Sequence, residues 1–292
     1  MISLLTILAC VPSELTNTES VELYVLNSDG SILDARFSVG NTGLLKGQGH
    51  LNLNWIPSTG IQSPFKRSSI DPYLSNPSEP MQVSVGTDSL IQRDDYWEFN
   101  VSSGEFDLRI QLSDGHEGSG ITSDNWSANA ILVGATAAGS LRSRPSQAIV
   151  SGDAIVIRRG GDSPPALSGI GRESAYVFSS DFAIGIDQVA GDAIAWAYYQ
   201  GQELVSSDAI LSRLEGGFLL DFRPSSPLYV EVVTSTPHLA SQPWQHLTYL
   251  ERLAGGILFS SHVRRTRGGI ARIYFQDDSY SGRAIINVVD SD

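Results

Sequence analysis

Residues 96–112 constrain this chain more than any other stretch. Trp97, Phe99 and Val101 alternate with Tyr96, Glu98 and Asn100. Ser102-Ser103-Gly104-Glu105 then turns the chain, and Phe106, Leu108, Ile110 and Leu112 alternate with Asp107, Arg109 and Gln111. Strict period-2 alternation puts one apolar face and one polar face on each arm, which is the pattern of a half-buried antiparallel hairpin. The pattern returns about 120 residues later, where Phe218, Leu220 and Phe222 lead into Pro224-Ser225-Ser226-Pro227 and on to Leu228, Val230 and Val232. Short runs of Val, Ile, Phe, Tyr and Trp separated by Ser, Gly, Asp and Asn fill most of the rest, so the chain reads as almost entirely β.

Each hairpin follows a short strand, 89–92 or 208–211, and a Trp-bearing strand at Trp55 or Trp196. This repetition predicts two consecutive antiparallel β-barrel units of similar plan, at about 20–160 and 171–292. The Gly- and Pro-rich stretch Gly160-Gly161-Asp162-Ser163-Pro164-Pro165-Ala166-Leu167-Ser168-Gly169 is the best linker between them. Trp244, Leu247, Leu250 and Leu253 have helical spacing and predict one short helix over 241–253, while Pro- and Ser-rich residues 60–80 read as a long loop.

The only cysteine is Cys10, at the end of Leu4-Leu5-Thr6-Ile7-Leu8-Ala9. An apolar run, a small residue and then Cys resembles a bacterial lipoprotein signal, with Ile7-Leu8-Ala9-Cys10 as its lipobox. The resemblance implies removal of residues 1–9, lipidation of Cys10 and a polar tether over 10–20. With no other thiol in the chain, Cys10 serves neither a disulfide framework nor a metal cluster. Val11, rather than Asp, follows the cysteine, which by the same resemblance implies an outer-membrane lipoprotein of the bacterial cell envelope. Acyl chains on Cys10 supply about 0.8 kcal/mol per buried methylene and would anchor the body.

Net charge is −13, from 19 basic and 32 acidic residues. Such a surface is repelled by phosphate backbones and by anionic headgroups, so nucleic acid is excluded as a partner and membrane association rests on Cys10.

Tyr96-Trp97-Glu98-Phe99, the arm Phe106-Asp107-Leu108-Arg109-Ile110-Gln111-Leu112, the loop Gly115-His116-Glu117-Gly118-Ser119-Gly120 and the closing stretch from Leu253-Ala254-Gly255-Gly256 to Gly282-Arg283-Ala284-Ile285-Ile286 resemble one group of proteins. These are the double-lipocalin proteins of the hydroxyneurosporene synthase (carotenoid hydratase) and AttH-like type. The resemblance implies two adjoining lipocalin-like barrels whose interiors or shared interface bind apolar molecules. It also implies acid catalysis from Asp, His, Trp and Tyr of the second barrel. Here Ala193-Ile194-Ala195-Trp196-Ala197-Tyr198-Tyr199 supplies aromatics without a histidine; Asp187 and Asp192 lie nearby, and no acid–base pair is assigned.

The five histidines have no compact ligand spacing, so neither a metal nor a cofactor is implied. His116, between Asp114 and Glu117, reads more often as a solvated turn than as a proton-transfer site. The run His262-Val263-Arg264-Arg265-Thr266-Arg267 is a local basic patch in an acidic protein. On a strand His262 and Arg264 share one face and Val263 and Arg265 the other, so one Arg can enter a barrel and bind a carboxylate or phosphate; the plainer alternative is a solvated hairpin. The ligand-binding candidates are therefore Trp97, Trp196, Tyr198, His262 and Arg264, with Trp196 and Tyr198 expected to line a cavity. The leading expectation is an anchored protein that binds or carries an apolar or amphipathic small molecule, such as a lipid or isoprenoid. The alternatives are an acid-catalysed hydratase, isomerase or cyclase on a terpenoid-like substrate, and a carbohydrate-binding or adhesion module.

Overall fold

The structure is a computed structural model. It describes residues 18–40, 47–59, 63–104, 106–118, 120–122, 126–143, 146–161, 172–189, 192–205, 209–223, 225–241 and 262–291. Cys10, the linker core and nearly all of the expected helix at 241–253 lie outside them.

Among the described residues every regular element is a strand, and all pairing is antiparallel. The first sheet contains β1 (Thr18–Asn27), β2 (Ile32–Gly40), β3 (Gln48–Ile56), β4 (Ser63–Ser69), β5 (Pro72–Leu74) and β6 (Gln82–Val85). It continues through β7 (Asp88–Gln92), β8 (Trp97–Ser102), β9 (Phe106–Ser113), β10 (Gly120–Thr122), β11 (Trp126–Ser143) and β12 (Ser146–Gly161). Its order is β4-β3-β2-β1-β12-β11-β9-β8-β7-β6-β5, with β10 attached to β11. The sheet rolls until β3 and β4 meet β5 and β6, giving a near-barrel.

The second sheet contains β13 (Arg172–Phe178), β14 (Phe182–Val189), β15 (Asp192–Tyr199), β16 (Gln202–Val205) and β17 (Ile210–Leu214). It is completed by β18 (Gly217–Asp221), β19 (Leu228–Ser241), β20 (His262–Phe275) and β21 (Asp278–Ser291). The order is β16-β15-β14-β13-β21-β20-β19-β18-β17, a half-barrel. The architecture is thus all-β and lipocalin-like, with the second unit less closed than the first.

Both hairpins bury the faces that alternation assigns to them. Trp97, Phe99, Val101, Phe106, Leu108, Ile110 and Leu112 enter the first interior beside Phe37 and Leu53. Phe218, Leu220, Phe222, Leu228, Val230 and Val232 enter the second beside Ile273 and Phe275. The long loop expected at 60–80 is corrected: it contains β4 and β5. Pro64 and Pro72 are tolerated because these strands are the two ends of the sheet, where a missing backbone N–H breaks no interior ladder.

The sheets dock through a third apolar cluster. Tyr24, Leu26, Ile155 and Ile157 of the first sheet meet Tyr176, Phe178, Trp196, Tyr198 and Ile285 of the second. Tyr176 lies between Tyr24 and Trp196, with ring centroids 5.4 Å and 5.9 Å away. Two glycines permit this approach. In β11 the register shifts near Leu132, and Gly134 takes φ 64°, a conformation that L side chains rarely adopt. A Cβ there would lie 2.9 Å from the Ala183 methyl of β14. At Gly185 a Cβ would enter the Trp196 ring itself, so the indole lies flat on the bare backbone of the neighbouring strand.

Candidate functional site

The open end of the half-barrel carries the candidate ligand site. On β20 Ala271, Ile273 and Phe275 face the interior, and the same side of the strand continues through Arg267 and Arg265 by the period of two. The register confirms the side: Arg265 is opposite Val288 and Arg267 opposite Ile286, both interior residues. On β17, Leu211 faces inward and Arg213 follows at the next inward position. Two inward rows therefore begin apolar and end in guanidinium groups. They converge on a half-open recess of about 170 Å³ lined by Arg213, Arg265, Arg267, Thr234, Leu214, Phe218, Val288 and the turn glycines Gly216 and Gly217. Arg213 is held by Glu173. No carboxylate pairs with Arg267 among the described residues. In an otherwise acidic chain this recess concentrates positive charge at an apolar opening.

A second polar constellation lies in the seam. Glu22 of β1 contacts Arg159 of β12 at 3.3 Å and Arg172 of β13 at 3.1 Å. Asp187 of β14 contacts Arg172 at 3.2 Å and pairs also with Arg159. Glu22, Arg159, Asp187 and Arg172 thus form a closed ring of alternating charge, with one acid and one base from each sheet. Burial alone would depress the Arg172 guanidinium, but Asp187 and Glu22 hold it well above its usual value. Tyr24 donates to Glu22 at 2.8 Å, and Arg159 donates to the Tyr176 hydroxyl at 3.2 Å. Burial, reinforced by Asp187, pushes the Tyr176 phenol up to about 12. Beside the ring, Thr266 Oγ1 lies 2.7 Å from Asn287 Oδ1 and 3.1 Å from Asp34 Oδ2 across the seam.

The glycine-rich loop joins the seam at one edge. His116 bridges Val133, and its ring stacks on Tyr198 with centroids 5.5 Å apart. The Tyr198 hydroxyl donates to the Glu117 carbonyl. The solvated turn expected around His116 is thus corrected to a half-buried docking contact.

The five sequence candidates do not form one site. Trp97 lies in the interior of the near-barrel. Trp196 and Tyr198 do share a face of β15, but it is the seam face; Ala195 and Ala197 take the interior. The expectation that the two aromatics line the second barrel's cavity is therefore corrected to seam packing, since the docked first sheet buries that face. His262 and Arg264 occupy β20 opposite Ser291 and Val289, and their side chains lie outside the described residues. The recess instead uses Arg213, Arg265 and Arg267. The available signal was the continuation of the inward parity of Ala271, Ile273 and Phe275 backwards along the strand. The outward rings Tyr229 and Tyr274 stack on each other at 4.4 Å, with Arg223 over Tyr229.

The fold is shared with solved structures at low sequence identity. CghA aligns over 94% of this chain and 88% of its own, with TM-score 0.70 and 9% identity. A structure assigned to AttH from Nitrosomonas europaea aligns over 97% and 95%, with TM-score 0.63 and 8% identity. CghA solved with Sch210972 aligns over 94% and 89%, with TM-score 0.66 and 8% identity. No protein-family model matches the chain, and no curated protein matches its sequence.

Proposed function

We propose that this protein binds an amphipathic small molecule at the open end of its second β unit. The carrying observation is the recess in which Phe218, Leu214 and Val288 meet Arg213, Arg265 and Arg267. Apolar walls with a few convergent polar groups are what a small-molecule site requires. The structure of CghA with Sch210972 supports a ligand-binding role for this architecture. Lipidation of Cys10 would hold such a binding protein at the outer membrane of a bacterial envelope.

A second reading, acid-catalysed hydration, isomerisation or cyclisation of a terpenoid-like substrate, is favoured by the likeness of fold to CghA and AttH. Binding is preferred because, of the buried seam carboxylates, Glu22 is engaged by Arg36, Arg159 and Arg172, Asp187 by Arg159 and Arg172, and Asp34 lies within hydrogen-bond distance of Thr266. Such fully engaged groups are poor candidates for delivering a proton to carbon.

Native mass spectrometry of the full-length chain from its own host tests the proposal. A co-purifying amphiphile that is depleted in Leu214→Asp supports binding at the recess. A bare mass, with no uptake when lipids and isoprenoids are added back, overturns it.

A further inference from the structure

We infer that the recess recognises the oxyanion head of a single-chain amphiphile and encloses only that head with its first few carbons. The inference rests on the reading that the recess is a ligand site, and adds the chemistry and size of what enters. Arg265 and Arg267 are two residues apart on one strand face, so their Cα atoms are about 7 Å apart and their long side chains can converge on one group. Arg213 approaches from β17, on the other side of the opening. Guanidinium groups bind planar or tetrahedral oxyanions through paired N–H donors, which makes a carboxylate or phosphate the matching head. The Thr234 hydroxyl on the same rim donates to the Gly216 carbonyl at 3.0 Å and braces the turn that borders the recess. Arg213 is already engaged by Glu173, so an entering anion competes with that carboxylate for it.

Size decides how much of the ligand is held. The recess measures about 170 Å³, below the ~300–1,000 Å³ typical of pockets that enclose a drug-sized molecule. The inward rows behind it are closed by Phe218, Leu220, Phe222, Ile273 and Phe275. Among the described residues, the recess does not enclose a whole isoprenoid. An anionic head set against the arginines, with a short apolar segment on Phe218, Leu214 and Val288, fits both the charge and the volume.

Calorimetric titration of the full-length chain with octanoate, octyl phosphate, 1-octanol and inorganic phosphate tests this. Octanoate and octyl phosphate are expected to bind about tenfold or more tightly than octanol. Arg267→Gln is expected to erase that preference, Arg267→Lys to retain part of it, and Leu214→Asp to weaken both anionic amphiphiles; near-UV circular dichroism verifies that each variant is folded. Equal affinity for octanol and octanoate in the unaltered protein overturns the head-group claim and leaves the recess as a site. Inorganic phosphate binding as tightly as octyl phosphate overturns the amphiphile. If no amphiphile binds, the recess reading and this inference fall together.

Discussion

Glu22 and Arg172 stand 150 positions apart in the chain and meet at 3.1 Å in the seam between the two sheets. Both are almost fully buried, and each has a further partner in its own sheet: Arg159 for Glu22 and Asp187 for Arg172. Glu22 also stands 3.5 Å from Arg36 of its own sheet, so each of the two carboxylates is already ion-paired before docking. Docking adds the crossed pairs, which match in only one orientation. Buried ion pairs of this kind are weak contributors to net stability, because desolvation offsets attraction, but they penalise mispairing heavily. The ring is best understood as a register lock for the two units.

Removing one member should therefore cost far more than removing a matched pair. Glu22→Gln is expected to destabilise the chain by about 3–5 kcal/mol, since Arg159 and Arg172 then face each other with only Asp187 between them. Simultaneous replacement of Glu22, Arg159, Arg172 and Asp187 by apolar residues of similar volume is expected to recover most of the loss. Urea unfolding of the single and fourfold variants measures this; a near-neutral Glu22→Gln would show that the ring is not a lock.

Alkaline pH should loosen the same seam. The Tyr176 phenol is raised from 10.0 to about 12, by burial first and then by Asp187. For a group whose folded value is raised, the stabilisation is complete below pH 10 and is lost as pH rises towards about 12. A shift of that size corresponds to roughly 2–3 kcal/mol. Tyr176→Phe is expected to be less stable at pH 8, through loss of the Arg159 hydrogen bond, yet to show a shallower fall between pH 10 and 12. An unchanged alkaline slope would contradict the assignment.

The Thr266 hydroxyl lies within donating distance of Asn287 Oδ1 in its own sheet and of Asp34 Oδ2 in the other, and shares its one hydrogen between them. Thr266→Val keeps the shape and leaves buried polar atoms short of a partner, at a cost of about 1–3 kcal/mol. Thr266→Ser should retain the link and lose only a methyl contact. Thermal unfolding of the two variants separates the polar effect from packing.

Gly185→Ala tests how closely Trp196 lies on β14. The added methyl meets the indole ring directly, so overpacking of about 1–3 kcal/mol is expected, together with a changed near-UV aromatic signal. A variant with native stability and spectrum would mean that the indole is not seated on Gly185.

Cys10→Ser should release the protein from membranes if acylation is what holds it there. Fractionation of cells expressing the variant tests this, and unchanged membrane association would remove the lipoprotein assignment.

How much of this was legible beforehand varies from strand to strand. On β8, β9, β18 and β19 the alternation names the interior residues correctly, because one face meets water and the other meets the core. The strands that build the seam do not alternate. Leu23-Tyr24-Val25-Leu26, Ala154-Ile155-Val156-Ile157, Ala175-Tyr176-Val177-Phe178 and Ala284-Ile285-Ile286 are apolar on both faces. Such runs are the sequence mark of a strand covered on both sides, and they were the available clue that the two units dock through β1, β12, β13 and β21. The recess was half visible: the Arg run at 264–267 marked the segment and the alternation of Ala271, Ile273 and Phe275 carried its parity, but that Arg213 of β17 meets Arg265 and Arg267 depends on the curvature of the sheet.

The sequence by itself determined the class of fold, the two alternating hairpins and the local chemistry of the basic patch, because period-2 burial and turn composition are properties of neighbouring residues. The tertiary structure alone decided that Trp196 and Tyr198 face a partner sheet, that Glu22 finds Arg172, and that Arg213 joins Arg265 and Arg267. Those relationships join residues tens to more than a hundred positions apart, and they exist only once sheet curvature and docking have brought separate strands to one place.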